Sequence, residues 1–133
     1  METASHFATV VAAVVATIAI AFGYYQFHQT QLLQRNMYAD QLYLKFAEQL
    51  SSSSAQNGLS AGDPGFWKQS ALLATTESVY RLTKSDPYWV ATVTAMLKAQ
   101  SAFLESTSIK VETFNADFIA HAKSVIPALK SIT

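Results

Sequence analysis

The chain has 133 residues, a formal net charge of zero, only 14% charged residues and no cysteine. Without a basic cluster it lacks the charges that displace counterions from a phosphate backbone, so we expect no nucleic-acid partner. The absence of cysteine excludes disulfides, thiol catalysis and cysteine-ligated metal centres.

The first element is an apolar segment from Phe7 to Tyr25, 19 residues without a charged side chain. At about 1.5 Å of rise per residue, a helix of this length reaches roughly 30 Å, the hydrocarbon thickness of a bilayer. We therefore predict a transmembrane helix over residues 7–25, preceded by a short flank at residues 1–6.

A cleaved secretory signal peptide is the alternative for this segment, because Ala19-Ile20-Ala21 has the small-x-small pattern of a cleavage site. Two features favour a retained helix instead. The flank before the segment contains no Lys or Arg, and the apolar run is longer than the apolar region of a usual signal peptide.

Small residues recur at helical spacing along the predicted span and form one flat side of the helix, which we call the small-residue face. Helices in lipid associate through close backbone approach, dispersion contacts and hydrogen bonds, so such a face favours docking against another transmembrane helix. Ile20 interrupts it, and the bulky residues fall on the other side. The small-residue face consists of Ala8, Thr9, Ala12, Ala13, Ala16, Thr17, Ala19 and Gly23.

Aromatic and amphipathic rings flank the span and are typical of residues at the headgroup level. The predicted membrane-interface anchors are Phe7, Tyr24, Tyr25, Phe27 and His28. Nearby positive charge occurs only after the span, at Arg35 and Lys45, which favours a cytoplasmic C-terminal domain. We expect a single-pass protein, assigned to a bacterial inner membrane.

A juxtamembrane helix is predicted over residues 26–50, which contain no Gly or Pro and many good helix formers. Its broad apolar face is interrupted by Asn36 and Asp40 and is expected to pack on the later helices of the same chain, with a partner groove as the alternative. The face comprises a central row, Leu32, Ala39, Tyr43, Phe46 and Leu50, flanked by Leu42 on one side and by Leu33, Met37, Leu44 and Ala47 on the other.

A serine-rich stretch at residues 51–62 predicts a flexible loop, because it combines low hydrophobicity with many turn formers. After it, residues 63–133 predict a helical hairpin followed by a C-terminal helix. Asp63-Pro64 and Asp86-Pro87 each place a carboxylate at a helix N-cap and a proline at the first helical position.

The hairpin is expected from two helices, at about residues 64–83 and 87–106, that are joined by a turn at Lys84 and Ser85. The buried stripe of the first is predicted as Trp67, Ala71, Leu72, Val79, Tyr80 and Leu82. The stripe of the second is predicted as Trp89, Val90, Val93, Met96, Leu97, Phe103 and Leu104.

The last helix is predicted from about residue 111 or 113 to residue 129, with Pro127 bending or shortening its end. Its stripe is Val111, Phe114, Phe118, Ile119, Ala122, Val125, Ile126 and Leu129. No stretch favours a strand. The predicted fold class is all-α, with one N-terminal transmembrane helix that continues into an extramembrane bundle of about four helical segments.

Few residues have the pattern of a chemical site. Asp117 and His121 are four residues apart on the last helix, a spacing that allows either a surface hydrogen bond or a base with an orienting carboxylate. With only three histidines and four glycines in the chain, we predict no catalytic residue, no cofactor and no metal site.

The sequence therefore favours a non-catalytic, single-span accessory or interaction subunit of a membrane protein complex. Its expected partners are the lipid bilayer and the transmembrane helices of other membrane subunits, and self-association is left open. The alternative is a membrane-tethered helical sensor or adaptor that binds a ligand or a protein. A small membrane-bound hydrolase or metal enzyme that uses His121 and Asp117 is a third hypothesis.

Overall fold

The chain is mostly helical in the computed structural model, which describes residues 2–52, 62–129 and 131–132, with the side chains of residues 10–52 and 62–129. The predicted all-α fold, a long apolar N-terminal helix followed by a small helical bundle, is confirmed. Most of the predicted loop at 51–62 lies outside the described residues. Packing divides the chain into two compact units, Met1–Asn36 and Met37–Thr133.

The unit Met1–Asn36 is formed by the N-terminal part of helix α1 (Glu2–Ser51). Among the described residues, the Val10–Ser51 part of α1 contains the one stretch that is long enough and apolar enough to cross a membrane. No residue of this apolar window is buried within the protein, which distinguishes it from a core helix. A signal sequence near the N-terminus passes the same test of length and hydropathy.

The unit Met37–Thr133 is a bundle around one apolar core. It combines the C-terminal part of α1 with four further helices, α2 (Pro64–Thr83), α3 (Pro87–Ala99), α4 (Ser101–Ser106) and α5 (Ala116–Val125). Every one of these helices except α1 contributes a large side chain that is fully buried. The largest of these side chains are Phe103, Phe118, Leu72, Leu73, Met96, Leu97 and Leu104.

The two Asp-Pro pairs start α2 and α3 as predicted. Asp63 and Asp86 both have an extended backbone and are followed by proline at the first helical position. The Asp86 side chain accepts a hydrogen bond from the Tyr88 backbone N–H at 3.0 Å, which satisfies one free donor of the first turn. The Asp63 side chain makes no capping hydrogen bond, so at α2 the proline and the extended backbone define the start.

Helices α2 and α3 form the predicted antiparallel hairpin. The Asp86 N–H donates to the Thr83 carbonyl at 2.8 Å across the short connection. Farther from the connection, Gln100 Nε2 donates to Thr76 Oγ1 at 3.0 Å. Contacts at both places require the helices to run in opposite directions.

The predicted buried face of α2 is partly wrong. Trp67 is 64% exposed and Ala71 is exposed, whereas Leu72 and Val79 are buried as predicted. Tyr80 and Leu82 are half-buried. The inward face instead includes Leu73 and three polar residues at seven-residue spacing, Gln69, Thr76 and Thr83.

The buried threonines of α2 explain why the stripe of apolar residues in the sequence predicts the wrong buried face for this helix. Thr76 Oγ1 donates to the Leu72 carbonyl at 2.8 Å, and Thr83 Oγ1 donates to the Val79 carbonyl at 2.6 Å. Each hydroxyl therefore satisfies its donor within the helix, which allows the residue to be buried.

The second helix of the hairpin is interrupted at Gln100, so the single helix expected over 87–106 is wrong. Gln100 Nε2 donates to the Met96 carbonyl at 3.3 Å, which is the acceptor that the Gln100 backbone N–H would use in a continuous α-helix. That N–H bonds to the Leu97 carbonyl at 3.0 Å instead. The helix tightens there and restarts as α4, although the predicted stripe is buried apart from the half-buried Val90.

The C-terminal helix α5 is shorter than the predicted range of 111–129. A 3-10 helix at Val111–Thr113 precedes it, and Ile126, the residue before Pro127, has left helical geometry. A two-residue parallel pairing, β1 (Ile109–Lys110) with β2 (Ser131–Ile132), was not predicted, because two residues are too few to show an alternating pattern.

The C-terminal part of α1 buries one side only. Ala39 and Phe46 are buried in the core, and Leu42 and Leu50 pack against it, which places α1 on the later helices of the same chain as expected. The other predicted flank is solvent-exposed and includes Met37 and Leu44. The broad apolar face of the sequence is therefore two faces, of which the bundle uses one.

Candidate functional site

The small-residue face lies along α1 in the unit Met1–Asn36. Ala12, Ala16, Ala19 and Gly23 follow one another at steps of four, three and four residues, and all four are exposed. A Cβ atom added at Gly23 would meet nothing within 4 Å, so no other part of the described chain covers this point. The side chains of Phe7, Ala8 and Thr9 lie outside the described side chains.

The neighbouring row of the face contains Ala13 and Thr17, which are also exposed. Thr17 Oγ1 donates to the Ala13 carbonyl at 2.9 Å. A hydroxyl has one proton, so Thr17 retains only its acceptor lone pairs for a neighbouring helix. A partner that bonds to Thr17 while this bond persists must therefore bring a donor.

The opposite side of the helix carries large apolar side chains that are also exposed, among them Val10, Val14 and Ile18. An uninterrupted apolar surface of this kind marks contact with lipid or with protein. The contrast in side-chain size between the two sides, which the sequence predicts, is present along the described part of the segment.

The predicted interface anchors Tyr24, Tyr25, Phe27 and His28 are all exposed. The hydroxyl of Tyr25 accepts a hydrogen bond from Gln29 Nε2 at 3.2 Å, one turn later on the helix. The apolar body of the ring is thus free while its polar tip is paired, as in rings that settle at a membrane surface.

His121 and Asp117, the candidate chemical pair, are each bonded to a different helix. Asp117 Oδ2 accepts from Lys84 Nζ at 2.8 Å. His121 Nε2 lies 3.2 Å from Thr94 Oγ1, and its ring stacks on Tyr80 with the centroids 5.2 Å apart. The structure therefore does not assemble the orienting carboxylate that the third hypothesis needs.

The Thr94 hydroxyl lies where α3 meets α5. Its Oγ1 donates to the Val90 carbonyl at 2.9 Å and lies 3.2 Å from His121 Nε2. The contact joins α3 and α5.

Within the described part of the chain, no group of three or more His, Asp or Glu side chains is placed to hold a metal ion. Glu77, a further carboxylate on α2, accepts from the Asn115 backbone N–H at 2.6 Å. Together Glu77 and Lys84 hold the first turn of α5 against α2.

The hydrogen bond and the charge attraction within the Lys84–Asp117 pair shift both groups. They lower the pKa of Asp117 and raise the pKa of Lys84 from their ordinary values. Both side chains are exposed, at 51% for Lys84 and 64% for Asp117, so solvent screens the attraction. The pair is a surface contact between α2 and α5.

We expect this pair to contribute a small pH dependence to the stability of the bundle. The lowered pKa of Asp117 makes its contribution complete above the pKa of an unfolded aspartate, about 3.9, and lost as the pH falls through the folded value. Thermal unfolding of the wild type and Asp117→Asn checks this. Their difference should be constant from about pH 5 to pH 9 and shrink below about pH 4, and a constant difference at lower pH would contradict the assignment.

Lys84 acts in the opposite direction. Its raised pKa makes its contribution complete below the pKa of an unfolded lysine, about 10.4, and lost as the pH rises through the folded value. Lys84→Met breaks the same pair as Asp117→Asn. Its difference in thermal stability from the wild type should therefore also shrink below about pH 4.

An open groove of about 310 Å³ lies between α1 and α2 in the bundle unit. Arg81 forms no ion pair with any described residue, while Glu77, one turn earlier, is bonded to Asn115. The groove is lined by Tyr38, Leu42, Ser78, Arg81 and Leu82.

A buried polar cluster is the feature that sequence reasoning missed. Gln100 is only 2% exposed, and neither its Oε1 atom nor Oγ1 of the buried Thr107 has a hydrogen-bond partner among the described residues. The amide orientation is fixed because the Thr76 hydroxyl already donates to Leu72 and must accept from Gln100 Nε2. The sequence gives no signal for this cluster, because Gln has a high helix propensity and is expected at exposed helix positions.

Comparison with protein-family models, with curated proteins and with solved structures finds no match to this chain.

Proposed function

We propose that the chain is a non-catalytic, single-span accessory subunit of a membrane protein complex, which docks through its small-residue face against transmembrane helices of other subunits. The observation that carries this proposal is the row Ala12, Ala16, Ala19 and Gly23, which is exposed throughout. On the opposite side, exposed bulky side chains suit contact with lipid. One helix thus offers two surfaces, one for protein and one for the bilayer.

The energetics of a membrane favour this use of the face. Lipid tails are as apolar as the helix, so association gains little from burying apolar area and depends on how closely two backbones approach. Ala and Gly permit the close approach that Leu or Ile prevents. Ile20 narrows the available area and directs the contact to the Ala12–Gly23 row.

In this proposal the helix crosses a bacterial inner membrane once and the bundle faces the cytoplasm. Arg35 and Lys45, on the C-terminal side of the span, support that orientation. The interface anchors Tyr24, Tyr25, Phe27 and His28 support the position of the membrane boundary.

The experiment is to replace Ala12 and Ala16 together by Leu and purify the full chain from its native membrane in a mild detergent. We expect the co-purifying subunits to fall by about tenfold, since a loss of 1.4 kcal/mol of contact energy is enough for that. Quantitative mass spectrometry of the purified material measures the loss. If other copies of this chain are the only proteins lost from the purified material, the docking partner is a second copy of the chain.

The matched control is Val10→Leu with Val14→Leu, a pair at the same spacing on the bulky side of the helix. It enlarges side chains that face away from the proposed contact, so co-purification should be unchanged. If the Ala12/Ala16 variant retains its partners as well as this control does, the small-residue face is not the docking surface.

A further inference from the structure

A second apolar surface of α1 lies in the bundle unit, on the side that the core does not use. Met37 is 61% exposed and Leu44 is 66% exposed, and the two are seven residues apart. Asp40 and Ala47, both exposed, complete a series with steps of three, four and three residues. We call these four residues the outer row.

The spacing of the outer row is that of the contact positions in a coiled coil. Steps of three and four residues keep side chains on one seam of a helix when a second helix packs alongside. The core of the bundle takes the other side of α1, through Ala39 and Phe46. The outer row is therefore available to a helix from outside the bundle.

Asp40 restricts which helix can cover this row. Its carboxylate forms no ion pair with any described residue, and Asn36, Met37, Tyr43 and Leu44, its neighbours at three and four residues, carry no positive charge. A covering helix would remove Asp40 from water, and a desolvated carboxylate without a partner is strongly unfavourable. A covering helix must therefore supply a positive charge.

A second copy of the chain does not supply that charge. Two copies anchored in one membrane with the same orientation would pair in parallel, and a symmetric parallel pair places each residue opposite its counterpart. Asp40 would then face Asp40, and like charges at a seam oppose association. Charge complementarity thus selects a different chain.

We propose that the outer row docks an amphipathic helix of another protein, with apolar residues at heptad spacing and a Lys or Arg opposite Asp40. The proposal rests on the proposed function for the source of this helix, which would be a subunit of the same complex. It assigns the extramembrane part of α1 a contact of its own. The contact is selective because the buried cation and Asp40 satisfy each other.

The probe is a synthetic amphipathic peptide of about three heptads with Leu at the contact positions and one Lys placed to meet Asp40. Fluorescence anisotropy measures its binding to the full chain in phosphatidylcholine nanodiscs. We expect the Lys peptide to bind about tenfold more tightly than the same peptide with Glu at that position. In Asp40→Lys this preference should reverse.

Two variants test whether the row itself is the site. Met37→Glu with Leu44→Glu should abolish binding of the Lys peptide. Lys45→Glu changes the net charge by the same two units on another side of the helix and should leave binding unchanged. Far-ultraviolet circular dichroism establishes that each variant keeps its helical content.

Three results would overturn the proposal: no binding of the Lys peptide, equal binding of the Lys and Glu peptides, or disulfide-linked dimers of Leu44→Cys after oxidation. The chain has no native cysteine, so such a dimer would place two copies of Leu44 together and make a second copy the occupant. The peptide has no membrane span, so these outcomes are independent of the Ala12/Ala16 test. Failure of one proposal can therefore be told from failure of the other.

Discussion

Replacing Phe118 by Ala is expected to lower the free energy of unfolding of the bundle by about 3–5 kcal/mol. Phe118 is 0% exposed and lies where α5 meets α2, with its ring centroid 5.7 Å from that of Tyr80 and 6.1 Å from that of Phe114. Truncation removes the transfer energy of the ring and leaves a cavity that rigid helices fill only in part. The free energy of unfolding of a small domain is about 5–15 kcal/mol in total, so the expected loss is a large fraction of it.

The matched control for Phe118 is Trp67→Ala, which removes an even larger aromatic side chain from an exposed position. We expect a loss of no more than about 1 kcal/mol, because Trp67 is 64% exposed and its ring makes an edge-to-face contact with Phe66. Urea denaturation in mild detergent, followed by tryptophan fluorescence, measures both variants; Trp67 and the buried Trp89 both contribute in Phe118→Ala, and Trp89 alone in Trp67→Ala. A loss at Trp67 equal to that at Phe118 would mean that the sequence-derived stripe of α2, with Trp67 in the core, is right after all.

The second large effect is expected from Gln100→Glu, which should cost about 3–5 kcal/mol at neutral pH. The change preserves shape and replaces the Nε2 donor by an oxygen, which then faces the Met96 carbonyl and the Thr76 hydroxyl. The other oxygen has no donor within the described structure, and the Thr76 hydroxyl can donate to the carboxylate only by giving up its bond to the Leu72 carbonyl. An ionised carboxylate here would therefore be buried with no net gain of hydrogen bonds.

Burial disfavours the charged form and raises the pKa of the introduced carboxyl above the value of about 4.3 for an unfolded glutamate. Its destabilising effect therefore grows as the pH rises from about 4.3 to the folded pKa, and it is partly relieved in acid. The measurement is thermal unfolding of the variant and the wild type at about pH 4 and pH 7. The difference between the two proteins should be smaller at pH 4. Gln41→Glu, at an exposed position of α1, is the control; its only expected pH dependence is the few tenths of a kcal/mol of an exposed pair with Lys45, four residues later.

Patterns that depend on neighbouring residues predicted much of the fold. The start of α3 follows from the chemistry of Asp86 and Pro87, which the Asp86–Tyr88 hydrogen bond confirms. The inward stripe of α3 and α4 is also as predicted, since apolar spacing and burial agree there. These features are fixed by contacts within one or two turns of helix.

Features that depend on distant partners were not predictable. Thr76 and Gln69 are polar in sequence and buried in the fold, because α3 and α4 cover that side of α2. The break at Gln100 likewise requires a side chain that bonds across to Thr76 and back to Met96. Helix propensity alone favours continuity at this position.

The candidate site divides in the same way. Spacing along α1 placed Ala12, Ala16 and Gly23 on one side of a helix, which is a local property. The link between Asp117 and His121 was suggested by a spacing of four residues, yet Asp117 bonds to Lys84, 33 residues away in the chain. A local pattern shows which residues share a face and cannot show which face of another helix lies opposite.

The burial of Ala39 and Phe46 in the core has a practical consequence for isolating the bundle. The serine-rich stretch after α1 is an obvious position for a truncation. A fragment that begins at residue 62 would, however, lack the side chains of Ala39 and Phe46. Complete burial of one aromatic side chain contributes about 1.5–3 kcal/mol, so such a fragment would leave an apolar opening in its core and tend to aggregate. A water-soluble piece suited to crystallisation should begin near Met37, where the second compact unit starts.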